Sequence, residues 1–264
     1  MFSIYSTAFN IIINKFDYED AIKNFCSFAE EVVISVNKSE DDTLEILQGL
    51  SAHHPNLKLV PCDISYDDTE LDGKLFNLAL QETTRPYKIN LGLDHRIAPR
   101  QKENWEILAE HIKKTNKIRA AFIPSINLVG DENHWDGEYN QMWFLHDSGL
   151  KRGVVDFARN PDGSFDPSKS DSNELVDENN KLVDSLFYVP GYDTREKYEN
   201  YLILMDLYVF HLGFVNFEDK ILRAQNVWEK IWKKRGVKDY NSIITTKEQL
   251  EKIPRYAHKF ELWR

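Results

Sequence analysis

The chain is poor in cysteine and in positive charge, and it lacks a glycine-rich phosphate loop and any long apolar run. Each shortage excludes a class of protein. Two cysteines in 264 residues, Cys26 and Cys62, make neither a disulfide framework nor the paired spacing of a metal site. Both lie in apolar surroundings, as inert thiols of a reducing compartment do. Lys and Arg number 33 against 43 Asp and Glu, a formal net charge of -10. Such a chain repels a phosphate backbone and is not expected to bind nucleic acid, although a few local donors can still hold one phosphate-bearing small molecule. Neither Gly-x-Gly-x-x-Gly nor a Walker A sequence occurs, which argues against dinucleotide and P-loop sites. The longest apolar run, Tyr201 to Phe214, carries Asp206 and His211 and is too short to span a bilayer. The N-terminus shows no charged segment followed by a small-residue cleavage site, so no signal peptide is expected. These absences together predict a soluble, cytoplasmic protein with no membrane span.

The residues present describe a folded α/β chain. A hydrophobic fraction of 42% and a charged fraction of 29% are those of globular proteins, and the length permits a substantial core. Ala21, Ile22, Phe25, Phe28 and Ala29 recur at helical spacing and predict a helix over Tyr18–Glu31. The apolar run Val32–Val36 reads as a strand buried on both faces. Further strands are predicted at Phe2–Asn10, Leu57–Asp63, Tyr87–Asp94 and Ile118–Gly130, with helices at Asp42–Gly49, Asp72–Thr84 and Glu103–Thr115 between them. Strands alternating with helices imply βαβ units and a mostly parallel, doubly wound, Rossmann-like sheet flanked by helices. After Gly130 the mixture of aromatics, glycine and charge predicts an irregular or antiparallel section. A stretch rich in Asp, Asn, Ser, Gly and Pro follows and predicts a mobile loop over 159–185. The C-terminal part returns to helix or strand-plus-helix. The expected division is a nucleotide-binding half, 1–125, and a less regular acceptor-binding half, 126–264, within one domain.

In an open α/β sheet, ligands bind beyond the carboxyl ends of the strands. Polar residues follow three of these ends: Ser6, Thr7 and Asn10; Asn37 to Asp42; and Asp94, His95 and Arg96. Ser39, Asp41 and Asp42 are also good N-caps for the next helix, and capping alone would account for them. Asp94 and Arg96, likewise, would suit a plain surface ion pair as well as a ligand site.

The opening strand ending in Asn10, the strand "EEVVISV" followed by "NKSEDDTLEIL", and the strand "YKINLGLDHR" together resemble the inverting glycosyltransferases of the GT-A superfamily, family 2-like. The resemblance covers about the first 120 residues, with scattered matches beyond. Ser39, Asp41 and Thr43 fit the family's second loop, with Lys38 in place of its usual glycine. Asp94 matches the first acid of the family's Asp-x-Asp signature, and Arg96 stands where the second acid is usual. What the resemblance implies is a transferase, hexosyl or pentosyl, that moves a sugar from a nucleoside-diphosphate sugar to a hydroxyl of a glycan or other acceptor. Thr7, Ala8, Asn10, Asn37 and Ser39 would border the nucleoside. Asp94 would contact ribose or metal, and Arg96 the diphosphate. The segment "HLGFVNFEDKILRAQ" resembles the family's closing His, Gly and basic helix, so His211 would bind the metal or the diphosphate, though its apolar flanks equally suit a core histidine. Lys220 and Arg223 would either face the phosphates or lie on a solvated helix face. A divalent cation, Mn or Mg, is implied by the signature and put in question by Arg96, which either replaces it or crowds it.

Inverting transfer also needs a carboxylate to accept the acceptor's proton. The candidates are Asp131, Glu132, Asp136, Glu138, Asp147 and Asp156; the loose match of "RGVVDF" to the family puts Asp156 first and Asp136 second. Trp135, Tyr139 and Trp143 are either a stacking platform for a sugar or ordinary core aromatics. Two other readings stand beside this one. The first is a sugar-phosphate nucleotidyltransferase of similar topology, disfavoured because "STAFNIIINK" lacks a basic glycine-rich loop. The second is a catalytically weakened relative that only binds nucleotide or a partner.

Overall fold

Strand β1 (Phe2–Ala8) and strand β2 (Glu31–Asn37) are buried along nearly their whole length, as apolar runs covered on both faces must be. The computed structural model describes residues 1–68, 70–115, 120–147, 149–152, 175–176, 195–227 and 246–264. Within these, β3 (Leu57–Cys62), β4 (Tyr87–Asn90), β5 (His95–Arg96), β6 (Ala120–Val129), β7 (His134–Asp147), β8 (Lys151–Arg152), β9 (Leu175–Val176), β10 (Val209–Phe214) and β11 (Tyr256–Ala257) follow. The helices are α1 (Tyr18–Phe28), α2 (Thr43–Ser51), α3 (Leu71–Gln81), α4 (Lys102–Thr115), α5 (Arg195–Leu204), α6 (Phe217–Val227) and α7 (Lys247–Glu251). No helix of the described residues is long and apolar enough to cross a membrane.

The central sheet runs β3-β2-β1-β4-β7-β6-β10-β5, with β11 on β7. Strands β3, β2, β1 and β4 are parallel, and so are β6 and β10. Strand β7 lies antiparallel between β4 and β6. A short connection cannot join parallel neighbours, so the turn after β6, with Gly130 at φ +76, returns the chain as a hairpin. This confirms an α/β sheet flanked by helices and puts the antiparallel section where the composition changes. Of the loop expected at 159–185, Leu175 and Val176 are among the described residues, and they pair with Lys151 and Arg152.

Ile22 and Phe25 of α1, Leu47 of α2, Trp105 and Leu108 of α4 and Leu202 of α5 share one core with Ile4, Ile34 and Ile89 of the sheet. Helix α3 covers the opposite face over Tyr5 and Val33. Full burial of a large apolar side chain is worth about 1.5–3 kcal/mol, so a handful of these contacts suffices to hold each helix in place. Burial pushes the Cys26 thiol up to about 11, and burial with the Asp63 charge raises that of Cys62, so both are unreactive.

Several boundaries differ from the sequence expectation, as where α1 stops at Phe28 and Glu31 already belongs to β2, and one of them bears on the site. The fourth strand stops at Asn90, not Asp94, and His95 and Arg96 start a separate strand that pairs antiparallel with β10. Arg96 explains the break. Its side chain is fully buried, and its Nε donates to Asp20 Oδ2 at 2.6 Å. Nη2 donates to the carbonyl and the carboxylate of Asp17 at 2.9 and 3.1 Å, and Nη1 to the carbonyls of Leu93 and His95 at 3.1 and 2.8 Å. The guanidinium thus ties the first turn of α1 to the turn between β4 and β5. Replacing Arg96 by Leu leaves those carbonyls unpartnered, and is expected to lower the unfolding free energy by about 2–4 kcal/mol in urea denaturation; an unchanged stability would contradict the clamp.

Candidate functional site

The register of the sheet builds a polar row across four strands. His95 on β5 lies opposite His211 on β10, and His211 lies opposite Asn127 on β6. The Asn127 side-chain Nδ2 donates to Asp136 Oδ2 on β7 at 2.7 Å. Asn127 Oδ1 faces His211 Nδ1 at 2.8 Å. The two histidine rings stack, with centroids 4.6 Å apart and planes 12° from parallel. Asp94, in the turn just before β5, closes the group: its Oδ1 is 2.8 Å from His95 Nδ1 and its Oδ2 3.2 Å from His211 Nε2. Its own carbonyl accepts from Leu212 N at 2.8 Å, which fixes the turn against β10. Gly213 is required beside it, because a Cβ there would come within 2.3 Å of His211 Nε2.

Electrostatics separate the roles of these groups. Burial alone would raise the Asp94 carboxyl, but His211 and His95 together hold it well below the usual carboxylate range. Burial pushes His95 down to about 4 despite the attraction of Asp94, so its ring is neutral at pH 7. Two cations from α6 complete the surroundings. Lys220 is half-buried, with its ammonium 4.6 Å from the Phe214 ring, and burial lowers its pKa while Asp94 opposes the shift. Arg223 donates to the Gly213 carbonyl at 3.0 Å, and its pKa is lowered for the same reasons. Asp94, His95 and His211 offer ligand atoms that all lie within 4.8 Å of one another, a group able to hold a metal ion.

Arg96 is not part of that group. Arginine has five N–H donors, and all of them are engaged by Asp17, Asp20, Leu93 and His95, so none is left for a diphosphate. The residues expected around the nucleoside form a second cluster. Asn10 sits at φ 48, and its Oδ1 accepts from Glu40 N at 2.8 Å. Its own N–H donates to Ser39 Oγ at 2.9 Å, and Ser39 in turn donates to the Asn37 carbonyl. Thr43 accepts from Ile11 N, and Asp41 Oδ2 from Ile12 N and Ile13 N. Asn37 Nδ2 donates to the Ile64 carbonyl, and its Oδ1 accepts from Ile64 N. These bonds brace the loops after β1, β2 and β3 against one another at the carboxyl edge. Thr7 is half-buried and Ala8 buried at the end of β1. A cavity of about 300 Å³ lies beside this cluster, lined by Asn37, Lys38, Ser39, Asp41 and Asp63 among others.

Of the carboxylates considered for proton transfer, Asp131 is bonded to His134 within the hairpin turn, and Glu132 pairs with Arg264. Asp136 belongs to the polar row. The side chains of Glu138, Tyr139, Trp143 and Asp147, and Asp156 altogether, lie outside the described residues. Trp135 packs edge-on against Phe260 beside the second core cluster, as a core aromatic does. In the sequence His95 stands among the polar residues after the fourth strand without a role of its own, and Asn127 is not among the candidates. Asn127 carried a signal, as an amide inside the apolar strand "SINLV".

No protein-family model matches the chain, and no curated protein sequence matches it. Among solved structures, residues 1–349 of TarS from S. aureus are 20% identical over 50% of this chain and 36% of that one, with a TM-score of 0.34. A mannosyltransferase from Pyrobaculum calidifontis, PcManGT, in complex with GDP-Man and Mn2+, is 12% identical over 55% of this chain and 44% of that one, at 0.38. The 4-diphosphocytidyl-2C-methyl-D-erythritolsynthase from Anaerococcus prevotii is 13% identical over 56% and 71%, at 0.30. The chain therefore spans less than half the length of the first two.

The depressed His95 has a consequence for stability. Below pH 6.5 the unfolded chain takes up a proton that the buried ring refuses until about 4, so stability falls as the pH drops through that window. The loss is on the order of 3 kcal/mol for a group this buried. Denaturation at several pH values is expected to show that slope in the wild type and a flatter one in His95→Gln; equal slopes would refute the assignment.

Proposed function

We propose that the chain binds a nucleoside-diphosphate sugar at the carboxyl edge of its sheet and transfers the sugar, with inversion, to an acceptor hydroxyl of a glycan or similar molecule. The observation that supports this most is the Asp94–His211–His95 group beside Lys220 and Arg223. Its Asp94 follows β4 by four residues in the chain. The group faces the loop after β1, where Arg223 donates to the Lys15 carbonyl and Arg96 to that of Asp17. Strand order reverses between β1 and β4, a place where open α/β sheets take their ligands. Lys220 and Arg223 replace Arg96 as the cations for the diphosphate, whose charge they are placed to offset as it leaves. Thr7, Ala8, Asn10, Asn37 and Ser39 shape the edge where the nucleoside sits; the asparagines act by bracing the loops.

A divalent cation fits the donor set. One carboxylate with one or two imidazoles suits an ion such as Mn2+ better than Mg2+, which prefers an all-oxygen shell. Asp94 and His211 would hold it, and when bound it would neutralise the diphosphate. The chain's own residues then do the remaining work. The acceptor oxygen forms its bond to the anomeric carbon as the bond to the diphosphate breaks, and a carboxylate takes the hydroxyl proton. We assign that carboxylate to Asp156, on the match of "RGVVDF".

The missing second acid favours one other reading, a relative that binds nucleotide without turning it over. The nucleotidyltransferase reading is weaker, because the backbone N–H groups of Asn10 to Ile13 are taken by Ser39, Thr43 and Asp41 and do not face a phosphate.

A thermal-shift series over UDP and GDP, with and without Mn2+, tests the donor site. One nucleotide at about 100 times its Kd is expected to raise Tm by roughly 5–10 °C, and Asp94→Asn or Lys220→Ala to remove most of that rise. No shift with any nucleotide would sink the proposal. Asp156→Ala is expected to keep the shift and to lose a factor of about 10²–10⁴ in sugar transfer or donor hydrolysis. Zero turnover in the wild type with an intact shift would select the binding module instead.

A further inference from the structure

The row of polar residues does not end at His211, and its last member has no part in the chemistry just described. The β6–β7 register shifts twice, between Ile123 and Ser125 and again around Asn127. There Ile126 is opposite Tyr139 and Leu128 opposite Trp135, so the β7 strand bulges over Asp136, Gly137 and Glu138. Gly137 makes the bulge possible at φ +87. The Tyr256 ring lies against it where a Cβ would be 2.8 Å from ring carbons, and β11 pairs with Trp135 and His134 to hold the strand there. Bulges re-aim side chains beside sites, and this one turns the Asp136 carboxylate onto Asn127.

A carboxylate only accepts hydrogen bonds, so the group that Asn127 offers Asp136 has to be its NH2. The amide is planar, and its oxygen is thereby forced toward His211 Nδ1. That nitrogen must then be the donor, which leaves Nε2 as the ring nitrogen facing Asp94. We infer that Asp136 is a positioning residue: through the Asn127 amide it sets the His211 ring so that Nε2 is the nitrogen presented to a cation shared with Asp94. The inference rests on the donor-site reading for the cation, and it removes Asp136 from the candidates for proton transfer. Buried supports of this kind orient ligating histidines and raise metal affinity about 10–100-fold.

The test compares Asp136→Ala with Asp136→Asn, each confirmed as folded by circular dichroism. Asparagine can still accept from the Asn127 NH2, whereas alanine frees the amide to turn over. Nitrogen-15 spectra of the His211 ring are expected to show a protonated Nδ1 in the wild type and in Asp136→Asn, and an unprotonated Nδ1 in Asp136→Ala. Mn2+ titrated without nucleotide and followed by electron paramagnetic resonance is expected to bind about tenfold or more weaker to Asp136→Ala, and to Asp136→Asn within about threefold of wild type. A protonated Nδ1 in Asp136→Ala, or an Asp136→Asn variant as weak as the alanine, would overturn the inference. Should the wild type take up no Mn2+, the cation reading fails by itself. The ring spectra then decide the positioning alone, a lost Nδ1 proton in Asp136→Ala supporting it and a retained one refuting it.

Discussion

The buried guanidinium of Arg96 is the constraint on which the site depends. A charge with no exposed surface must find partners for every donor, and it finds them in the first turn of α1 and in the turn between β4 and β5. Fixing that turn fixes Asp94 and His95, which lie inside it. Strand β5 then pairs with β10, and the pairing sets His95 over His211. The arginine therefore acts on the site from beneath, by geometry, and its charge is matched by Asp17 and Asp20 before it can reach a ligand.

From that turn the order of effects follows the sheet. Asp94 is held ionised by the two imidazoles, His95 is kept neutral by burial, and His211 is oriented from its far side by Asn127 and Asp136. Helix α6 adds Lys220 and Arg223 to the same small region, so one anionic carboxylate faces two cations and a stack of rings. Such a mixture is poorly suited to a neutral ligand and well suited to a negatively charged one with a counter-ion. The loops after β1, β2 and β3, braced by Asn10, Ser39 and Asn37, extend the site along the edge on the other side of the strand-order reversal.

Much of the fold could be read from the residues because its signals are local. Helices α1 and α4 follow from apolar spacing within a single turn or two, and β2 from a run of apolar residues. An antiparallel section is legible after Gly130, but the place of β7 between β4 and β6 is not, since strand pairing is settled by tertiary contacts that leave no periodicity in "HWDGEYNQMWFLHD". The clamp that Arg96 forms leaves no local trace for a related cause. Its partners lie 76 and 79 positions upstream, and no local pattern joins them. His95 has no role that its neighbours in the sequence reveal; its register opposite His211 makes it part of the group. His211 itself was legible through its resemblance to a family pattern, and through its position in an apolar strand where an imidazole needs a partner.

The central claim is that a diphosphate binds between Asp94, His211 and the cations of α6, with Arg96 apart from it. A crystal structure of the chain with UDP and Mn2+, or with GDP if the thermal shift favours it, tests this most directly through the anomalous signal of manganese. The account predicts an anomalous peak bonded to Asp94 and His211 Nε2, phosphate oxygens on Lys220 and Arg223, and Arg96 still paired with Asp17 and Asp20. A diphosphate bonded to Arg96, or a nucleotide bound away from this edge of the sheet, would contradict it.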